Sequence, residues 1–460
     1  MFLGLLALIW SAMCSAAGIA WNAPRLASSF ALAQNLPLYG LRTSGQQLGW
    51  IYGPGFPIWF LPVTCFKNLT VGFAFAGFWN ALTLVGPIYL AIRTTLVGHR
   101  VIGVAATLLG GALMFAHETT QTAFYFIHVD AVCIGFGLLG CVSLYLGVRG
   151  WKPGLPVAAL AVVLAFWTKQ TALFLLPAML CWLWRENVPG LIQKWLWWVF
   201  VTGAGVTVLI FIKFGGAELL FNVWYCNARS PWAGGWELLI QQVWDTIRAG
   251  WLWWIALALS LSLMRSTGWT LSTRASQFSR LLIWVAVWQV PVGFLASLKV
   301  GGALNSLHSL TYFLVVGLVV AADLLTKVPS LGSVRIERLA ASAFVGVTFL
   351  GVLIGYRQAT ERGVVWSPHP GQQQALETAK VNAGRAYFPW NPLVTIISDH
   401  KIYPFDDALL CLWRAGLSPS MEAIRAAVPR DASIIYHEPV QSHFALNYFG
   451  KQPAQDQKGH

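Results

Sequence analysis

The first 117 residues contain neither aspartate nor glutamate, and the whole 460-residue chain is only 10% charged. With 57% hydrophobic residues and a mean hydropathy of +0.62, this composition excludes an ordinary soluble globular protein. Cysteine pairs are missing as well. The seven cysteines stand singly at positions 14, 65, 133, 141, 181, 226 and 411 with no CxxC spacing, which argues against a structural zinc site. A disulfide between Cys65 and Cys226 is compatible with the sequence and unsupported by it. No tandem repeat and no low-complexity tract occurs. The lack of an inverted repeat, together with charges that avoid the middle of the apolar runs, disfavours a transporter.

What the chain has instead is a series of apolar runs close to the roughly 20 residues that a spanning helix needs. Eleven are expected as spans: 2–20, 70–92, 101–116, 131–148, 155–168, 171–184, 195–213, 251–264, 281–298, 307–325 and 339–356. No Lys or Arg precedes Arg25, so the first run reads as an uncleaved span rather than a signal peptide ending at Ser15-Ala16-Ala17. The loop 21–69 holds an expected helix over Arg25–Asn35. It is followed by Tyr52-Gly53-Pro54-Gly55-Phe56-Pro57, whose prolines and glycines argue against a spanning helix. Residues 51–66 are therefore expected as a re-entrant or interfacial segment. A composition shift at Arg357 divides a membrane domain, 1–356, from a domain over 357–460. In the latter, helical patterns at 371–384, 406–416 and 420–428 alternate with strand-like runs Leu393–Ser398 and Ser433–Tyr436, ahead of a polar tail. The fold class expected is an α-helical polytopic membrane protein with a small C-terminal α/β domain.

The net charge of +13 belongs to the membrane part: 20 Lys and Arg face 8 Asp and Glu up to Tyr356, against 10 and 9 beyond it. Such an excess is a topology signal and an attraction to anionic membrane lipids, and nucleic acid is not expected as a partner. Arg93, Arg100, Arg149, Lys152, Arg185, Lys194, Arg265, Arg274, Arg280, Lys327, Arg335 and Arg338 fall in one set of loops, about three times as dense in cations as the other short loops. That set is cytoplasmic by the positive-inside rule, which puts the N-terminus inside and the C-terminal domain outside. A fully spanning 51–66 segment would invert the pattern downstream.

On this topology Glu118, His128, Asp130, Lys169 and Gln170 converge at outer span ends. Lys299 and His308 flank another outer loop, and Arg25, Tyr52 and Lys67 lie in the first one. A charge near the hydrocarbon costs about 2.5 to 3.5 kcal/mol at mid-helix, so these groups pair, line a wet cavity or act. Carboxylates beside cations at a lipid-accessible mouth suit removal of a hydroxyl proton while a phosphate leaving group is neutralised. The alternative is an Asp130–Lys169 pair that only ties span ends together. His117 and His128 show no metal-ligand spacing, and no metal or other cofactor is assigned.

Three motifs in order then resemble a known superfamily. Ala23-Pro24-Arg25 through Leu36-Pro37-Leu38-Tyr39 to Ile51-Tyr52-Gly53-Pro54-Gly55-Phe56-Pro57 is similar to the first outer loop of bacterial GT-C glycosyltransferases. His128-Val129-Asp130 resembles their Arg-x-Asp motif, and Thr168-Lys169-Gln170-Thr171 their Thr-Lys-Gln-Thr turn. The resemblance implies an inner-membrane enzyme that moves a sugar, with inversion, from a polyprenyl-phosphate donor to an acceptor at the outer face. Asp130 is then the candidate base and Glu118 its alternate. Arg25, Lys67, Lys169 and Lys299 are candidate phosphate contacts, while Tyr52, His128 and Gln170 complete the substrate-binding set. One departure stands out: such enzymes carry an acid in the first outer loop, where this chain has Trp21-Asn22. That departure keeps open a catalytically silent accessory subunit that binds lipid or a partner membrane protein.

Overall fold

A computed structural model describes residues 2–95, 118–249, 251, 274–299, 304–325, 370–429 and 434–435. The expected spans 101–116 and 339–356, nearly all of 251–264, and the tail lie outside the described residues, as does His117. Among the described residues, four helices are long and apolar enough to cross a membrane: Leu69–Thr95, Val129–Val148, Pro189–Phe214 and Ser276–Ser297. Shorter apolar helices, Gly154–Thr168 and the one opening at His308, pack among them. The number eleven remains a reading of the sequence.

The two apolar helices Val129–Val148 and Pro189–Phe214 use their hydrophobicity differently. The first is buried on nearly every side because Gly, Ala, Cys and Ser between its larger residues admit the helices Leu69–Thr95 and Gly154–Thr168. The second exposes Trp197, Phe200, Leu209 and Ile212, as a helix turned mainly to lipid would. The expected span 171–184 is less regular. It opens as a 3-10 turn, Gln170–Phe174, and continues as Leu175–Arg185.

Above one end of the bundle the first loop folds back on itself. Its helix runs Asn22–Ala33, starting earlier than expected because Pro24 sits in the first turn, where a missing N–H breaks no helical hydrogen bond. Residues 51–66 form two short helical pieces, Gly55–Trp59 and Leu61–Cys65, and no spanning helix.

The C-terminal residues form helices Gly371–Val381, Pro392–Asp399, Asp406–Arg414 and Met421–Ala427. A short parallel pairing sets Ala386 beside Ile434 and Tyr387 beside Ile435. The run Leu393–Ser398, expected as a strand, is helical. Pro392 opens that helix, and its branched residues Val394 and Ile396 are buried with Leu393 against the helix Asn22–Ala33, so packing overrides their preference for a strand. Leu376, Phe388, Leu393 and Ile396 share one core with Leu26, Phe30, Trp50 and Phe56 of the first loop. Cys65 and Cys226 are free thiols, so the disulfide considered between them does not form.

Candidate functional site

The centre of the site is a buried carboxylate. His128, in extended conformation, ends the segment before the helix Val129–Val148 and places Asp130 in that helix's first turn. Lys169 interrupts two helical pieces with its own extended backbone (φ −148°, ψ 128°), which turns its side chain back toward Asp130. Lys169 Nζ lies 2.5 Å from Asp130 Oδ1, and His128 Nδ1 lies 2.5 Å from Oδ2. His308 Nδ1 stands 3.5 Å from the same Oδ2, yet neither of its ring nitrogens makes a hydrogen bond among the described residues. With 3% of its side chain exposed, Asp130 is out of water, and its desolvation is offset by this surrounding set of donors. Lys169 retains two N–H groups, since Asp130 is its one acceptor among the described residues.

The first loop closes over this cluster through a tight backbone contact. A Cβ at Gly53 would collide with the carbonyl of Trp167, so only glycine lets the Tyr52-Gly53-Pro54 segment rest on the turn that carries Lys169. Tyr52 then meets His128 edge to face at 5.5 Å. Arg25 lies 5.5 Å from the Trp21 ring and 5.7 Å from the Tyr52 ring, and its buried Nε has no hydrogen-bond partner among the described residues. Arg25, Tyr52, His128, Asp130 and Lys169 therefore form one connected group.

Other expected members go elsewhere. Gln170 turns away to donate to Val223 O at 3.1 Å and Ile51 O at 3.5 Å, which ties the first loop to the segment 216–229. Lys299 donates to Asn227 O and Ala228 O at 3.0 and 3.3 Å and covers the Trp232 ring. Its charge thus closes the last turn of the helix Cys226–Arg229 instead of meeting Asp130. Lys67 is exposed in the turn before the helix Leu69–Thr95, with no hydrogen bond or ion pair among the described residues. Glu118 opens the helix Glu118–Tyr125, and its side chain lies outside the described structure.

The residue in the expected acid position has a structural use. Asn22 is fully buried, donates to Ala16 O and Tyr125 O at 3.0 and 3.4 Å, and accepts from Ile127 N at 2.9 Å. It clasps the strand of chain that leads into His128. Asn80 grips the same segment by donating to Ala123 O and Phe124 O, both at 2.9 Å. In the sequence His308 stands as a loop flank and the clasp leaves no local sign; the usable signal for His308 is that it begins a span in the same layer as Asp130.

No protein-family model matches the chain, and no curated protein matches it. Among solved structures, it is similar to ArnT from Cupriavidus metallidurans bound to undecaprenyl phosphate, with a TM-score of 0.56 and 13% identity over 92% of this chain and 89% of that one. The apo state of ArnT from the same organism aligns with a TM-score of 0.49 and 14% identity over 93% and 77%. At such identity the likeness is one of architecture. Together with the first loop folded over a helical bundle, it shows that this chain has the fold of ArnT.

Proposed function

We propose that the protein is a glycosyltransferase that moves a sugar from a polyprenyl-phosphate donor to an acceptor at the outer face of a bacterial inner membrane. The observation that carries this reading is the group formed by Lys169, Asp130 and His128 beside Arg25. Two cations with unused donors stand at one mouth of an apolar bundle, where a lipid tail can lie in the membrane while its phosphate reaches Lys169 and Arg25. ArnT, solved with undecaprenyl phosphate, supports this class of donor.

In this reading Lys169 and Arg25 hold the phosphate, Tyr52 and His128 border the sugar, and Asp130 keeps Lys169 in place. Asp130 can serve as the base only if Lys169 turns to the phosphate and frees Oδ1. The C-terminal helices within residues 370–429 pack on the first loop at the mouth and belong to the outer side, with the N-terminus inside. Mass spectrometry of copurified lipid is the direct test. A polyprenyl phosphate retained by the wild type and lost from Lys169→Gln supports the assignment; bulk phospholipid alone in both rejects it.

A second reading is favoured by Asn22. A buried clasp replaces an acid where an enzyme of this fold would carry one, and both oxygens of Asp130 are engaged. A silent lipid-binding accessory subunit would retain polyprenyl phosphate yet transfer nothing, and would copurify with an active membrane enzyme.

A further inference from the structure

The acid absent from the first loop has a counterpart in space. The helix Asp406–Arg414 begins against that loop: Phe405 N donates to Gln47 O at 3.2 Å and Asp406 N to Pro389 O at 2.9 Å. Gly49, at φ +67°, lies so close to the first turn that a Cβ there would strike the Ala408 side chain. Trp390 stands edge-on to both Trp21, at 5.6 Å, and Phe405, at 5.8 Å. Trp21 in turn carries the Arg25 guanidinium. These contacts bring the start of the helix to the Arg25 side of the site, and Asp407 is the residue beside Ala408 there.

Asp407 differs from Asp130 in being uncommitted. It is half-buried, and among the described residues no ion pair holds it; Cys411, one turn further along the helix, donates its thiol to Oδ1 across 4.0 Å. The charged and titratable groups that face it are Arg25 from the first-loop helix and Arg414 and Cys411 from its own helix. Burial raises the Asp407 carboxyl above the ordinary carboxylate value, against the pull of Arg25 and Arg414. Burial likewise pushes the Cys411 thiol up to about 12, so it stays neutral and adds no charge near neutral pH.

We infer that Asp407, delivered by the C-terminal helix, is the general base of the transfer proposed above. The inference rests on that proposal. The acceptor hydroxyl would lose its proton to the Asp407 carboxylate as its oxygen bonds to the anomeric carbon. The bond from that carbon to the phosphate oxygen breaks, and its electron pair leaves on the phosphate held by Arg25 and Lys169. Asp407 ends protonated and returns the proton to solvent. Arg25, which acts on Asp407 and lies against the Tyr52 ring of the Asp130 group, links the acid to the phosphate. On this account the first loop needs no acid because the C-terminal part supplies one.

The test uses the full chain in detergent with undecaprenyl-phosphate glucose, mannose and arabinose as donors and with glycerol, beside water, as the hydroxyl acceptor. It follows release of undecaprenyl phosphate by mass spectrometry and, separately, binding of undecaprenyl phosphate itself. In Asp407→Asn, turnover should fall about 10² to 10⁴-fold with binding within a factor of two of wild type. Asp407→Glu should recover part of the activity. The wild-type rate should fall as the pH drops through the raised Asp407 value, because protonation removes the base. Asp407→Asn should lack this acid limb, and Asp407→Glu should keep it at a shifted pH, a readout that survives if Asp407→Asn folds poorly. An active wild type with equal turnover in Asp407→Asn overturns this inference alone. A wild type that binds undecaprenyl phosphate but releases none from any of these donors overturns this inference in favour of the silent lipid-binding reading, and one that does neither overturns the proposed function as well.

Discussion

A buried charge that loses its partner costs far more than the pair contributes when intact, and this asymmetry makes Asp130 and Lys169 separable by experiment. Either Asp130→Asn or Lys169→Gln should lower stability by about 3 kcal/mol, toward the lower end of the range because both substitutions keep hydrogen-bonding capacity. The double substitution should cost less than the sum of the two, read by thermal unfolding in detergent as a double-mutant cycle. Additive losses would mean the two side chains do not depend on each other. Asn22 allows an opposite kind of test. Asn22→Asp restores the acid expected in the first loop, but it turns an N–H donor toward Ala16 O and Tyr125 O into an oxygen facing two oxygens. The variant should therefore lose about 1 to 3 kcal/mol and gain no activity. A stable, more active Asn22→Asp would show that the clasp is a silenced catalytic position.

At the scale of elements, the site depends on how closely the first loop approaches the Lys169 turn. Gly53→Ala should be destabilising by about 1 to 3 kcal/mol, because the added methyl meets a backbone carbonyl that cannot swing aside. The measurement is the midpoint of thermal unfolding, and an unchanged midpoint would mean that the loop is free to lift. The helix Pro392–Asp399 gives a second check, since its Ile396 is fully buried in the core shared with the first loop. Ile396→Ala should cost about 2 to 5 kcal/mol and should also weaken undecaprenyl phosphate binding if that helix supports the loop over the site. A thermally weakened variant with unchanged binding would confine the effect to stability. The sequence picks out Asp130 and Lys169, because an ionisable residue at the end of an apolar run is a strong local signal, but the same signal also gathers Lys299 and Lys67, which lie elsewhere. It misread Leu393–Ser398, because a short run of branched residues carries a strand preference that only the neighbouring helix overrules.

At the scale of the whole molecule, the orientation rests on the asymmetry of Lys and Arg between alternate loops. In a cysteine-free background, a single cysteine at Val381 should react with an impermeant reagent in cells whose outer membrane is permeabilised, and one at Lys152 should not. Both positions are exposed, so access to solvent on the protein itself does not separate them. The reverse labelling would put the Asp130 mouth on the cytoplasmic side and remove the outer-face reading.

By itself the sequence determined that this is a polytopic membrane protein with a polar layer at one set of span ends, because hydropathy and charge are properties of the residues in order. It also carried the GT-C resemblance, which lives in three short motifs. Tertiary structure alone decided which charges meet. Lys169 and Asp130 are 39 residues apart and join at 2.5 Å, whereas Lys299 is taken by the carbonyls of a short helix that the sequence did not announce. It also brought His308 to Asp130 and the helix of Asp407 to the side of Arg25. Such pairings depend on how helices stack and on where a loop's glycines let backbones touch, and neither is written in the spacing of any one segment.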